Sequence, residues 1–173
     1  MKFPAATVYT RHTSPLGDLV LAANATHLMG LWFQGQKHQP AMSGWREVSQ
    51  HPVLTPARTQ LTQYFNRQRH SFEVPIDFSG GTAFQQLVWQ ALQSIAPGST
   101  CSYKTLAQRI GRALAVRAVG AAVGQNPLGI IVPCHRVIGA SGDLTGYAGG
   151  LERKLALLQL ENAWGQESAA KLS

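Results

Sequence analysis

Acidic side chains are scarce in this chain. Eight Asp and Glu stand against fifteen Lys and Arg among 173 residues, a formal charge of +7 with histidine neutral. The shortage is also local. From Phe78 to Gly142 no Asp or Glu occurs, while Lys104, Arg109, Arg112, Arg117 and Arg136 fall in that stretch. A folded segment with charge of one sign favours a polyanion such as nucleic acid. An unoccupied basic surface is the plainer alternative. Cysteine is scarce too. With only Cys101 and Cys134 there is no disulfide framework and no cysteine cluster for a structural metal. No apolar run approaches the ~20 residues that cross a bilayer. The start, Met1-Lys2-Phe3-Pro4, lacks the apolar stretch of a signal peptide. The expected setting is the reducing cytoplasm, with no membrane partner. Apolar residues still make up 45% of the chain, enough for one or two small cores.

The first 80 residues read as β-rich with one helix. Val8 to His12, Leu19 to Ala23 and Leu28 to Phe33 are short strand-like runs. Ser14-Pro15-Leu16-Gly17 and Asn24-Ala25-Thr26 separate them, as in a three-stranded meander. Gln34 to Gly44 is a polar loop. Thr55-Pro56 reads as a helix start, Thr as N-cap and Pro at the first position, with Leu54, Ala57, Leu61, Tyr64 and Phe65 as the apolar stripe. Phe72, Val74, Ile76 and Phe78 alternate with polar residues and Pro75, which predicts an edge strand. The histidines here (His12, His27, His38, His51, His70) are scattered and read as structural or exposed.

Ser79-Gly80-Gly81 reads as a boundary. Phe84, Leu87, Val88, Ala91, Leu92 and Ile95 then recur at helical intervals until Pro97-Gly98. Tyr103 to Ile110 and Ala115 to Gly124 predict two short helices around Gly111-Arg112. Many small helical domains share this helix-turn-helix spacing. The second helix is slim. Arg117 is its only charge, among Ala115, Ala118, Gly120, Ala121, Ala122 and Gly124. Such a face fits a minor groove about 6 Å wide, or close packing on another helix. Ile130-Ile131-Val132 reads as a short buried strand leading into Pro133-Cys134-His135-Arg136. The glycine-rich loop that follows does not fit a dinucleotide fingerprint. A last helix is expected from Leu151 to Asn162, with Leu151, Leu155 and Leu158 on one face. Glu161 lies beside that face, where a carboxylate needs a partner. Residues 163–173 read as a flexible tail.

A lone cysteine is usually a small buried hydrophobe, and Cys101 is read that way. Cys134 differs, because a chain reversal places it beside His135 and Arg136. Imidazole and positive charge favour the thiolate nucleophile. Glu161, on a helix that can fold back, would complete a nucleophile, base and orienter set.

The run Ile131-Val132-Pro133-Cys134-His135-Arg136-Val137-Ile138-Gly139 resembles the active-site signature of the O6-alkylguanine-DNA alkyltransferases, the methylated-DNA–protein-cysteine methyltransferases. Arg117-Ala118-Val119-Gly120, Asn126-Pro127 and Thr145-Gly146-Tyr147-Ala148-Gly149-Gly150 resemble that family in order and spacing, as does Ser14-Pro15-Leu16-Gly17 near the start. The similarity is close from about Gly81 to Asn162 and looser before.

The resemblance implies transfer of an alkyl group from guanine O6, and by extension thymine O4, to Cys134 in a single turnover. In that scheme His135 takes the thiol proton through a water and Glu161 orients His135. Tyr103 hydrogen-bonds guanine N3, and Asn126 ties the recognition helix to the active-site loop. Tyr147 walls the base pocket, the Ala148 N–H meets O6, and the Cys134 and Val137 carbonyls accept from the exocyclic amine. The implied partner is double-stranded DNA, entered from the minor groove with the target base flipped out. Arg117 would fill the vacated gap, Ala118 and Gly120 would allow close approach, and Lys104, Arg109 and Arg112 would meet phosphates. Arg136 is read as bracing the loop.

No metal or organic cofactor is implied, and a monomer is expected, with cooperativity on DNA left open. The chain departs from the family in places. It lacks the N-terminal cysteines with which some members hold zinc. It has Ala148 where several carry Ser and Gly124 where some carry Arg. Arg112-Ala113-Leu114 lacks a proline often found there.

The expected fold is α+β. A ribonuclease-H-like α/β domain spans 1–80, and a mostly helical, winged-helix-like DNA-binding and catalytic domain spans 81–162. Two other classes remain in view. A non-catalytic sensor of damaged bases would tolerate Cys134→Ala. A Cys–His hydrolase would turn over and would not need DNA.

Overall fold

Turn chemistry near the start of the chain sets up a meander. In the computed structural model, which describes residues 2–164, β1 (Val8–Ser14), β2 (Gly17–Ala23) and β3 (Leu28–Phe33) pair antiparallel in the order β3-β2-β1. The Ser14 hydroxyl donates to the Gly17 carbonyl at 2.6 Å and accepts from Leu16 N–H at 3.2 Å. The Asn24 side chain accepts from the N–H groups of Thr26 and His27 at 2.9 and 2.7 Å, an Asx turn that returns the chain into β3. A two-residue β4 (Arg46–Glu47), not foreseen in the sequence, joins β1 in parallel.

Every residue of β3 is buried, as are Leu19 to Ala23 of β2, so this side of the sheet is covered on both faces. Helix α1 (Leu54–Phe65) buries Leu54, Ala57, Leu61 and Tyr64 and packs on β1 and β2. Val20, Ala22 and Trp32 pack instead with Phe3, Tyr9, Met42 and Trp45. The Phe3 ring stands edge-on to Trp32 and Trp45, at centroid distances of 5.6 and 5.1 Å.

Two expectations are corrected in this half. Helix α1 starts at Leu54, after Val53, so Thr55 is not its N-cap and Pro56 is not its first residue. The capping acceptor is the His51 ring, whose Nδ1 lies 3.2 Å from Val53 N–H and 3.4 Å from Leu54 N–H. Residues 72–78 form no strand. The Pro75 carbonyl accepts from Leu28 N–H at 2.8 Å and Asp77 N–H donates to the Leu28 carbonyl at 2.9 Å, which makes one isolated bridge at Ile76. Pro75 has no N–H to extend a ladder.

The chain divides into two compact units. The first holds the residues up to Thr82 together with Pro127–Ile131; the second holds Ala83–Asn126 and the chain from Val132 on. The short return into the first unit is pinned along β3. Leu31 N–H donates to the Pro127 carbonyl at 2.8 Å and Gly129 N–H to the Leu31 carbonyl at 3.0 Å.

The second unit contains α2 (Ala83–Leu92), β5 (Cys101–Ser102), α3 (Tyr103–Arg109), α4 (Val116–Gly124), β6 (Val137–Ile138) and α5 (Leu151–Leu160). The α2 stripe is rotated from the expected one. Leu87 is exposed, and Trp89 is fully buried, its indole N–H donating to the Ala122 carbonyl of α4 at 2.8 Å. Ser102 caps α3 through a 3.0 Å bond from Thr105 N–H. The helix ends in a Schellman turn. Gly111 N–H donates to the Gln108 carbonyl and Arg112 N–H to the Ala107 carbonyl, with Gly111 at φ +68°. The chain then reverses into α4. Strands β5 and β6 pair in parallel, Cys101 opposite Val137. The expected tail lies outside the described residues from 165 on.

Candidate active site

The expected strand at Ile130 to Val132 is absent. These residues form a turn, with Ile130 at φ +69°, a conformation rarely adopted by β-branched residues. Their burial explains the sequence pattern: Ile130 and Val132 are inside although no ladder forms. Cys134 N–H closes the turn onto the Val132 carbonyl at 2.8 Å, and Cys134–Arg136 make one 3-10 turn that feeds β6. Pairing of β6 with β5 places this turn beside the start of α3, where Tyr103 sits.

His135 is fully buried, and its Nε2 lies 3.0 Å from Glu161 Oε1. Arg136 holds the same carboxylate, Nε to Oε2 at 2.7 Å and Nη2 to Oε1 at 2.9 Å, and its Nη1 donates to the Ile95 carbonyl at 2.5 Å. Glu161 is the C-cap of α5. The turn behind it is another Schellman motif, Asn162 at φ +57° with Ala163 N–H on the Leu158 carbonyl. That turn fixes the carboxylate at the helix end.

Burial alone would raise the Glu161 carboxyl. The hydrogen bonds and charges of His135 and Arg136 outweigh burial and hold it well below the usual carboxylate range. Burial lowers His135, and the Glu161 contact only partly offsets this, so the imidazole is neutral. A neutral ring facing a carboxylate donates from Nε2. Nδ1 then carries the lone pair, and it is buried with no hydrogen-bond partner among the described residues. Such a nitrogen can accept a proton.

Burial pushes the Cys134 thiol up, so it rests protonated. A hydrogen bond with the Asn126 side chain and the charge of Lys154 oppose this. The Asn126 amide also donates to the Val132 carbonyl at 2.8 Å. Tyr103 is half-buried. Its hydroxyl makes only long bonds, 3.3 and 3.4 Å, to the carbonyls of Thr145 and Gly146, and burial raises its phenol. Burial holds the Tyr147 phenol well above its usual value, and Cys134 is among the groups that act on it. Ala148 follows in the same loop, half-buried, and Val137 is buried beside Cys101.

One residue of this site was missed in the sequence. Lys154 is fully buried on α5, and its Nζ donates to the carbonyls of Val137 and Thr145, both at 2.6 Å. Burial lowers it to about 8. The expected α5 stripe is corrected accordingly. Leu151 is exposed, Leu155 is half-buried, and the inward face is Lys154, Leu157, Leu158 and Glu161. Spacing of i, i+3, i+4, i+7 from Lys154 would have revealed it.

The basic candidates lie elsewhere in the same unit. Lys104, Arg109, Arg112, Arg117 and Ala118 are exposed on α3, the turn and α4. Gly120 is half-buried, and a Cβ placed there would sit 3.7 Å from the Tyr103 ring. Gly120 thus faces the Tyr103 ring, while Arg117, Ala118 and Ala121 are exposed. Among the described residues no group of three His, Cys, Asp or Glu could hold a metal ion. No described helix is long and apolar enough to cross a membrane.

Residues 83–163 match the 6-O-methylguanine DNA methyltransferase DNA-binding domain, and residues 7–78 match the ribonuclease-like domain of the same proteins. The chain belongs to the 6-O-methylguanine DNA methyltransferase family.

Membership extends over both units. A methylated-DNA–protein-cysteine methyltransferase of Mycobacterium leprae is 47% identical over 148 residues, covering 86% of this chain and 88% of that protein. One from Haemophilus influenzae is 42% identical over 157 residues, covering 90% and 87%. The crystal structure of Mycobacterium tuberculosis OGT in complex with DNA superposes with a TM-score of 0.83 at 43% identity, over 96% of this chain and 99% of that one. The α+β class and the pairing of a ribonuclease-like domain with a DNA-binding domain are those of the family.

Proposed function

We propose that this protein repairs DNA by moving an alkyl group from guanine O6, and from thymine O4, to Cys134 once, and is consumed in doing so. The observation that carries this reading is the Cys134–His135–Glu161 arrangement. A buried protonated thiol lies next in sequence to a neutral imidazole, whose Nδ1 is free to accept and whose Nε2 is held by a carboxylate.

The thiol proton passes to His135 Nδ1 through a water, and Glu161 stabilises the imidazolium that forms. The sulfur lone pair attacks the alkyl carbon in line. The carbon–O6 bond breaks and its electron pair stays with guanine, which takes a proton at N3 from Tyr103. The imidazolium and the phenolate then neutralise by proton exchange with solvent. The long bonds of the Tyr103 hydroxyl suit this role, since little is lost when it turns to a base. Tyr147 walls the pocket, the Ala148 N–H meets O6, and the Cys134 and Val137 carbonyls accept from the exocyclic amine. Asn126 holds the turn in place by its bond to the Val132 carbonyl. A thioether has no easy hydrolytic exit, so the transfer ends there.

A base inside the stack must leave it to be reached. Helix α4 enters the minor groove with Ala118 against the DNA, and Arg117 takes the place of the flipped base. Gly120 keeps the helix slim over Tyr103. Lys104, Arg109 and Arg112 meet phosphates. Residues 81–162 thus carry both DNA binding and catalysis, and residues 1–80 form the ribonuclease-like domain. The protein acts as a monomer. The exposure of the basic residues, the acid-free stretch, and the relative crystallised with DNA support this partner. A cytoplasmic setting suits a nucleophile that must stay reduced.

The test is transfer of a labelled methyl group from O6-methylguanine in duplex DNA to protein. Label should rise to one equivalent and stop, and C134S should take up none. Continued release of methanol, or label on C134S, would overturn the reading.

A further inference from the structure

The segment 145–150 carries Tyr147 and Ala148 and leads directly into α5. Gly146 at φ +41° and Gly150 at φ +93° take left-handed conformations, and Gly149 stands between them and Ala148. Glycine leaves such a segment free to move, so its shape depends on what ties it down. Its entry is tied at the Thr145 carbonyl, which accepts from Lys154 at 2.6 Å and from Tyr103 at 3.3 Å. Its middle holds an internal turn, with Gly150 N–H on the Tyr147 carbonyl at 3.0 Å. The exit depends on a side chain of α5. Gly150 is the N-cap of that helix and offers no side chain, and Gly149 before it is buried. A buried carbonyl without a partner is costly. Arg153 supplies one. It lies half-buried in the first turn of α5 and reaches back, so that its Nη1 donates to the Gly149 carbonyl at 3.1 Å. The charges of Arg153 and Cys134 both reach the Tyr147 phenol, with opposite signs of effect. The Tyr147 side chain is thus within reach of Cys134 and of the arginine that ties the loop's exit.

We propose that Arg153 is a specificity-determining residue: its guanidinium ties the exit of the 145–150 segment to α5, fixes how far the Tyr147 wall stands from Cys134, and so sets the size of alkyl group that transfers best. The inference rests on the reading of Cys134 as alkyl acceptor and Tyr147 as wall of the base pocket. A methyl group makes few contacts of its own. Its carbon meets the sulfur in line only if the wall holds the base in place. A benzyl group fills the space itself and packs against whatever wall it meets. Loosening the exit therefore costs the small group more than the large one.

The experiment uses two matched duplexes, one with O6-methylguanine and one with O6-benzylguanine, and full-length wild type, R153M, R153A and R153K. Single-turnover rates are taken at saturating protein, so DNA affinity does not enter the ratio. R153M keeps the bulk of the stem and loses the donors. R153M and R153A should slow methyl transfer about tenfold more than benzyl transfer, since a displacement of about 1 Å can cost a hundredfold in a step that needs alignment. R153K still offers donors for one carbonyl, so its benzyl-to-methyl ratio should return toward that of wild type. Partial loss of folded protein lowers both rates together and leaves the ratio alone. Equal slowing of both transfers in R153M and R153A would overturn the proposal. So would an R153K ratio no nearer to wild type than that of R153M. Failure of R153M and R153A to fold would overturn it too, as the mark of a purely structural arginine. No transfer by wild type from either duplex would instead remove the reading of Cys134 as acceptor.

Discussion

Glu161 accepts two hydrogen bonds from Arg136, at 2.7 and 2.9 Å, with the same carboxylate that meets His135 Nε2 at 3.0 Å. Burial, helped by the charge of Arg136, keeps His135 neutral, while the geometry still fixes which ring nitrogen is free. Glu161→Gln removes the charge and leaves the Arg136 guanidinium buried without an anion. Breaking one side of a buried pair costs about 3–5 kcal/mol. Denaturant titration should show a loss of that order. Transfer to Cys134 should slow by about a hundredfold or more, because the imidazolium loses its stabiliser. An unchanged rate in E161Q would separate the carboxylate from the chemistry.

Acid should destabilise this fold early, and the sign follows from two groups. His135 has a folded value below its unfolded one, so below about 6.5 the unfolded chain binds the extra proton. Glu161 is also depressed, so its contribution is present above about 4.3 and is lost as pH falls below that. The thermal midpoint should therefore fall between pH 7 and 5, and again below pH 4.5. His135→Asn should flatten the first step and leave the second. A midpoint that stays level from pH 7 to 5 in wild type would contradict a buried neutral His135.

Arg117 is exposed on α4, and in the proposed function it takes the place of the flipped base. Arg117→Ala should slow repair of duplex O6-methylguanine by tenfold or more, about 1.4 kcal/mol. Its reaction with free O6-benzylguanine should change little. The ratio of the two rate constants is the readout, and equal losses would remove Arg117 from base flipping.

Lys104, Arg109 and Arg112 are exposed in a stretch without acidic residues. Each phosphate they neutralise adds about 0.9 to the negative slope of log affinity against log salt. Alanine at any one should weaken binding alike across DNA sequences and reduce the slope by about one. Fluorescence anisotropy with an unmodified duplex measures this, and a flat salt response would argue against phosphate contacts.

The meander was legible because turn residues separate its strands, and Ser14, Gly17 and Asn24 act through their nearest neighbours. The two short helices on either side of Gly111 were legible for the same reason, since Gly111 takes a positive φ. Features set by distant partners were not. Thr55-Pro56 looks like a helix start, yet His51 supplies the cap from three residues before Leu54. Ile130-Ile131-Val132 has the composition of a strand, yet the neighbouring residues Pro127 and Gly129 are bonded to Leu31, and the run forms a turn. In the site, Cys134, His135 and Arg136 are adjacent and Glu161 lies beside an apolar face, so their types and need for partners could be read. Lys154 was passed over because a lysine in a helix is taken for a solvated one, although its spacing to Leu157, Leu158 and Glu161 puts it on the inward face.

The central claim is that Cys134 is an acceptor that reacts once. Intact-protein mass spectrometry after mixing with duplex DNA carrying one O6-methylguanine, followed by peptide mapping, tests it most directly. The account predicts a gain of one methylene unit on the peptide containing Cys134, complete at one equivalent of lesion and unchanged by excess. An unmodified protein still bound to the duplex would contradict it and leave a sensor of damaged bases in its place.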